Sequence, residues 1–295
     1  MLETISKATA SINLVDESFD PKKSGSYHLS ILLNEKSLSY AVLDTNTNKY
    51  LVLHSTPPVP RSAKALREGE KGEGVLSPLQ GLGVTTFHSV TCAIAHPKFT
   101  LVPNALFDEE NKGSLLGFNH PVESDEKIHS DALQNLEARN LFTISKSLES
   151  EIRKQFVNVH FLHNATSFIE GLLIQNKNSK EKKVFANFHA SYFEIVILDG
   201  RELLFSNAFT YKTSEEIAYY ILFVYEQLNL NPEDIGLILS GEIEKTAKEH
   251  SLLYNYIRHV KFASLPDSFK YSYKFEEVPA HTFFSLFNQY MVTNN

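Results

Sequence analysis

One pattern constrains the fold of this chain more than any other, because it occurs twice. Residues 27–55 (YHLSILLNEKSLSYAVLDTNTNKYLVLHS) read as three short strands joined by tight polar turns, and residues 184–211 (VFANFHASYFEIVILDGRELLFSNAFTY) read the same way. The alternation in SLSYAVLD and KYLVLHS is the period of two that marks a half-buried strand. Asp44-Thr-Asn-Thr-Asn48 supplies one turn, and Asp199-Gly200 gives the strongest hairpin signal in the sequence. Two meanders in corresponding positions predict a duplicated α/β architecture with a cleft between its lobes.

Composition narrows the function classes. The net charge is −7, from 28 basic and 35 acidic residues. A nucleic-acid partner would demand a basic stripe, because phosphate neutralisation dominates affinity. The basic clusters here, Lys22-Lys23 and Lys180, Lys182 and Lys183, are short and read as solvated turns, so no nucleic-acid partner is expected. Cys92 stands alone, which excludes an intramolecular disulfide and a cysteine zinc site, and its apolar setting (SVTCAIAH) reads as a buried thiol. No apolar run approaches the roughly 20 residues that span a bilayer, so membrane insertion is not expected. The first twenty residues lack a secretion-signal layout, and a cytoplasmic location follows as the expectation. The 21 Phe and 13 Tyr without a single Trp point to phenylalanine-filled cores.

Along the chain, residues 1–25 read as a loosely attached N-terminal arm with one edge strand. The first lobe is placed at 26–178 and the second at 179–295. The first meander occupies 26–33, 37–44 and 49–55, and Pro57, Pro58 and Pro60 close it because proline cannot donate to a ladder. Residues 61–85 form a glycine-rich mobile loop with a helical start at Ala63–Glu68. Strands are expected at 89–96 and 99–107, and a charged loop at 108–130; 131–145 fits either strand or helix. Helix 145–156, strand 157–163 and helix 165–176 follow, the last capped by Asn164 or Thr166. NKNSKEKK at 176–183 has linker chemistry. The second half reads as strands 183–189, 192–198 and 202–210, then helix 213–229 opened by a near capping box from Thr213 or Ser214. Strand 235–241, helix 243–257, strand 259–264 and a helix at 279–291 with Pro279 in its first turn complete the chain.

Three meander strands, a helix, a strand ending in Ser240-Gly241 and another helix form an order that resembles the actin-like ATPase superfamily, whose halves are ribonuclease-H-like. The segments that carry the resemblance are ANFHASYFEIVILDG, GLILSGEIEKTAKEHSLLYNYI and the joining stretch QFVNVHFLHNATSFIEGLLIQ. The chain is similar to the type IV pilus and secretion-platform branch of that fold, and to uncharacterised bacterial proteins with a degenerate form of it. The likeness covers most of residues 26–292. It implies that the first segment holds the family's second phosphate loop and the second its adenosine loop.

The departures from the family pattern bear on activity. Active members place an Asp-x-Gly turn after the first strand of each half, to hold magnesium and admit phosphate to backbone N–H groups. Here the second-half position reads Asn187-Phe188-His189: Asn lacks the charge that balances a dication, and His189 has a Cβ where glycine lets phosphate approach. The first-half turn, Leu32-Leu33-Asn34-Glu35-Lys36, has no Asp-x-Gly, and Ser240-Gly241 continues with Glu242 instead of a second small residue. Phosphoryl transfer relies on metal charge and positioned donors, and these losses remove several kcal/mol of transition-state stabilisation.

The leading expectation is therefore a non-catalytic scaffold or partner-binding protein with an eroded nucleotide site, no catalytic residues and no metal. The alternative is an ATP/ADP-binding switch with little or no hydrolysis, its cofactor site formed by Asn34, Asn187, His189, Ser191, Ser240 and Gly241. An enzyme using the cleft for unrelated chemistry is a third reading. Other constellations are weaker. His160 and His163 point to opposite faces of a strand, and His120, Glu123, Asp125, Glu126 and His129 read as a solvated acidic loop. Asn164-Ala-Thr166 matches a glycosylation acceptor but reads as a helix start. Tyr219, Tyr220, Phe223 and Tyr225 crowd one helix more densely than a single apolar stripe can bury, and a second aromatic group spans Tyr254 to Phe275; both suit core packing or a protein partner.

Overall fold

Strand β1 (Ile12–Val15) precedes the first meander, β2 (Tyr27–Leu33), β3 (Leu38–Asp44) and β4 (Lys49–Ser55). Asn34 closes the β2–β3 turn, its Oδ1 accepting from the Lys36 and Ser37 amides. Asp44 does the same after β3, accepting from the Asn46 amide and the Thr47 hydroxyl, and Asn48 then adopts a left-handed φ of 53°. Short Asx side chains that mimic a backbone turn thus set the register. The structure, a computed structural model, describes residues 11–56, 75–84 and 86–294. The expected helical start at Ala63–Glu68 and the prolines at 57, 58 and 60 lie outside these.

Strand β5 (Ser89–Ile94) continues the sheet. The chain then leaves it for a separate three-stranded sheet of β6 (Phe99–Pro103), β7 (Glu126–Ala132) and β8 (Ala138–Ser145), in the order β6-β8-β7. The stretch 108–130, expected to be a charged loop, holds helix α1 (Lys112–Gly117) and the start of β7. Helix α2 (Lys146–Gln155), strand β9 (Val159–His163) and helix α3 (Asn164–Gln175) return to the main sheet. The cap of α3 is His163, whose Nδ1 accepts from the Ala165 amide, not Asn164 or Thr166 as expected. Thr166 instead donates to Asp131 of β7 (2.6 Å), which also accepts from the His163 amide (2.8 Å), while Asn140 of β8 donates to Thr166 (3.0 Å). One buried carboxyl thus fastens the small sheet to the start of α3.

The second meander is β10 (Lys182–Phe188), β11 (Tyr192–Asp199) and β12 (Glu202–Thr210). Helix α4 (Ser214–Gln227) starts at Thr213, whose hydroxyl accepts from the Glu216 amide. Strand β13 (Leu237–Gly241), helix α5 (Lys248–Tyr254) and strand β14 (Val260–Phe262) follow. The helix expected over 243–257 is confined to these seven residues, because the chain after Gly241 is spent in tight turns: the Ile243 amide bonds to Gly241 and the Ala247 amide to Glu244. Last come β15 (Lys270–Tyr271) and helix α6 (Phe284–Asn294).

The two main sheets have the same plan. The first runs β1-β4-β3-β2-β5-β9 and the second β12-β11-β10-β13-β14, each an antiparallel meander continued by two parallel strands from its first member. This is a duplicated ribonuclease-H-like fold with a cleft between the lobes. The first meander departs from the half-buried expectation, since β3 is buried from Leu38 to Leu43. One face packs Leu29, Ile31, Tyr40 and Val42 toward α2 and α3, and that cluster continues to Phe185, Val196 and Leu198 of the second sheet. Ala41, Leu43, Tyr50 and Leu53 on the other face meet Phe283, Leu286, Phe287 and Met291.

The last segment therefore crosses back from the second lobe to the first. β15 pairs with β4, the Tyr50 hydroxyl donates to the Phe287 carbonyl, and Gln289 donates to Ile31 and accepts from Thr91. Gly171 of α3 lies against Asn288 of α6, leaving no room for a Cβ. At the other end, the expected loose arm is anchored over residues 11–25, where β1 pairs with β4 and Asp16 bonds Lys49 at 2.8 Å. No helix among the described residues is long and apolar enough to cross a membrane.

Candidate functional site

The strand ends of the second lobe carry an unusual row of polar side chains. Register places Ser240 of β13 beside Asn187 of β10, and Asn187 beside Glu194 of β11. Neighbouring strands in register share a face, so the three side chains line up. Ser240 donates to Asn187 Oδ1 (3.1 Å), and Asn187 Nδ2 donates to Glu194 Oε2 (2.9 Å). Asn164, at the first turn of α3, donates to the same Glu194 oxygen from above (3.3 Å). His189 Nε2 faces both amide nitrogens, at 3.2 Å from Asn187 and 3.4 Å from Asn164, so it serves them as an acceptor. Its ring stacks on Tyr192 with centroids 4.3 Å apart, and its carbonyl takes the Tyr211 hydroxyl at 2.6 Å. All of these side chains are buried.

Both lobes meet at the rim above this row. Asn34 Nδ2 donates to Glu242 Oε1 at 2.9 Å, and Ser191 donates to Glu35 Oε2 at 3.2 Å. Crowding by neighbouring atoms pushes the Glu242 carboxyl above its usual range, although the residue is exposed; His189, Lys36 and the Asn34 amide pull the other way. Burial drives the Tyr192 hydroxyl strongly up, with Glu194, Glu35 and Glu242 adding to it.

Of the six cofactor-site candidates, Asn187, His189, Ser240 and Gly241 converge at the ends of β10 and β13, while Asn34 and Ser191 sit on the rim. Sequence reasoning missed Asn164, Tyr192 and Glu194. Glu194 had a signal: it is the one charged residue inside the apolar run of β11. Asn164 is fully buried, which closes it to glycosylation in the folded chain.

Four backbone amides of the turns around this row bond within the protein. The His189 amide bonds the Tyr192 carbonyl, the Glu242 amide bonds the Phe188 carbonyl (2.8 Å), and the Lys36 and Ser37 amides bond Asn34. Gly241 has φ +79°, and a Cβ there would lie 2.2 Å from the Phe188 oxygen. This glycine serves a close strand-to-strand approach inside the protein. Elsewhere, His120 bonds the Phe99 carbonyl, Glu126 pairs with Lys98 and His129 lies beside Glu149, so the acidic loop's side chains are dispersed among separate partners. On α4, Tyr225 is buried, but Tyr219 and Phe223 are 62% and 42% exposed, at the end of a ring ladder running from Phe193 through Phe209 and Tyr220.

A family model described as "Protein of unknown function (DUF3822)" matches residues 16–260. Among solved structures, the fold is similar to a Bacteroides thetaiotaomicron protein with an actin-like ATPase fold and unknown function. That match has 24% identity and a TM-score of 0.71, covering 83% of this chain and 93% of that one. It is also similar to the PilM–PilN type IV pilus biogenesis complex, with 12% identity and a TM-score of 0.61, over 90% of this chain and 97% of that one. Both establish the actin-like fold. No curated protein matches the sequence.

Proposed function

We propose that this chain, which belongs to the family described as "Protein of unknown function (DUF3822)", keeps the actin-like fold as a non-catalytic scaffold that binds a protein partner. The observation that carries the reading is the engagement of the loop amides: those of His189, Glu242, Lys36 and Ser37 bond to protein oxygens, not to open space. A nucleotide phosphate would have to break these bonds and the rim contacts. The lobes correspond to residues 26–178 and 179–295, with the last strand and helix of the second returning to the first. PilM, which shares the fold, occurs in a complex with PilN; on this chain the exposed end of the α4 ring ladder offers a partner an aromatic surface. The lone buried Cys92 suits a reducing, cytoplasmic setting.

Thermal melting with magnesium and ATP or ADP tests the reading. A ligand that binds the native state raises the melting temperature in proportion to RT ln(1 + [L]/Kd). The expected result is no rise at millimolar nucleotide, with recovery of a stoichiometric protein partner by affinity capture. A saturable nucleotide-dependent rise would instead establish the switch.

A further inference from the structure

The row beneath the rim has an unbalanced feature. Glu194 is 1% exposed, and the one basic side chain beside it among the described residues is His189, whose Nε2 lies 3.5 Å away and accepts from the two amides. Two amides converge on Oε2, but Oε1 has no hydrogen-bond partner. The Asn164 Oδ1 and the Tyr192 hydroxyl, both buried, are likewise without partners. Asn164 Oδ1 is one amide width from the nitrogen that bonds Glu194. Tyr192 is two residues before Glu194 on β11, so both side chains share a face. Three buried oxygens thus go unpartnered on one carboxylate, the amide that bonds it and its neighbour on the strand face, a costly arrangement if nothing neutralises it.

We propose that this polar cluster binds a monovalent alkali cation, held by Glu194 Oε1, Asn164 Oδ1 and Tyr192 Oη. The ligand set selects the ion class. All three atoms are hard oxygens, and the site brings one formal negative charge, which a single positive charge balances. A divalent ion would be left undercompensated, and the described residues contain no group of three His, Cys, Asp or Glu side chains arranged for a metal. Glu35 and Glu242 stand on the rim of the same cleft, giving a cation a negatively charged entry. The site is independent of the scaffold reading, because it requires neither nucleotide nor partner.

Melting curves of the whole chain at constant ionic strength test this, since screening is then equal in all samples. In about 0.2 M sodium or potassium chloride the melting temperature should exceed that in about 0.2 M choline chloride by several degrees, and rise with the logarithm of cation concentration. Glu194→Gln removes the charge but keeps the shape, and should abolish the difference. Crystals of the unmodified protein soaked in thallium(I) should show an anomalous peak beside Glu194, a readout that stands even if the variant fails to fold. Identical curves in choline and alkali chloride, a difference that survives in Glu194→Gln, or a thallium-soaked crystal without that peak would each overturn the proposal. A carboxyl that is simply protonated would give the first of these results.

Discussion

Replacing Asp131 with Asn should change how stability depends on pH, and the size of the change follows from its surroundings. Asp131 is buried where β7 meets the start of α3, and its partners, the Thr166 hydroxyl and the His163 amide, carry no charge. Desolvation outweighs those two bonds and raises its pKa from 3.8 to about 7. A carboxyl with a raised folded pKa gives its full contribution below the unfolded value, and loses it as pH climbs through the folded one. The window is therefore about pH 4 to 7, and the gap corresponds to about 4 kcal/mol. Asn cannot ionise, and its oxygen still accepts from Thr166 or His163. Urea unfolding of both proteins across this window should show Asp131→Asn gaining on the parent by a few kcal/mol as pH rises. His28 and His163, held neutral by burial, slope the opposite way, but they do so in both proteins and cancel in the difference. Parallel profiles from pH 4 to 8 would refute the reasoning.

Gly241→Ala should cost about 3 kcal/mol or more, because it combines a left-handed φ with backbone overlap at Phe188, whereas Gly25→Ala, which meets nothing within 4 Å, should stay within about 0.5 kcal/mol; denaturant midpoints compare them. Removing both rim bonds with Glu242→Ala and Ser191→Ala, which leave the turn bonds of Asn34 in place, should lower stability by about 1–2 kcal/mol. Hydrogen exchange should then quicken at residues 34–37 and 189–192, and unchanged exchange there would show that the lobes are held apart from these contacts.

The meanders were legible because alternation and turn chemistry are local. The strand limits expected at 37–44, 49–55 and 202–210 agree with the observed ones to within one residue, and Asp199-Gly200 turns where it should. β7 escaped notice because EKIHSDA lines the edge of a small sheet, and its polar residues are bonded to neighbours that sequence does not place nearby. Asn187, His189 and Ser240 of the polar row were singled out because the family resemblance puts its phosphate and adenosine loops there. Asn164 and Glu194 were not, since their meeting depends on α3 lying across the second sheet, a contact between segments far apart in the chain.

The return of the final helix has a consequence for biosynthesis. Ribosomes deliver the chain from its beginning, so every strand of the second sheet emerges while the face of the first formed by Ala41, Leu43 and Tyr50 still awaits Phe283, Leu286 and Phe287. The half that is made first is the half that matures last. A nascent chain stalled just short of Phe284 should present a sticky, uncovered surface beside an already finished neighbour, which makes this interval the one in which a chaperone would matter most.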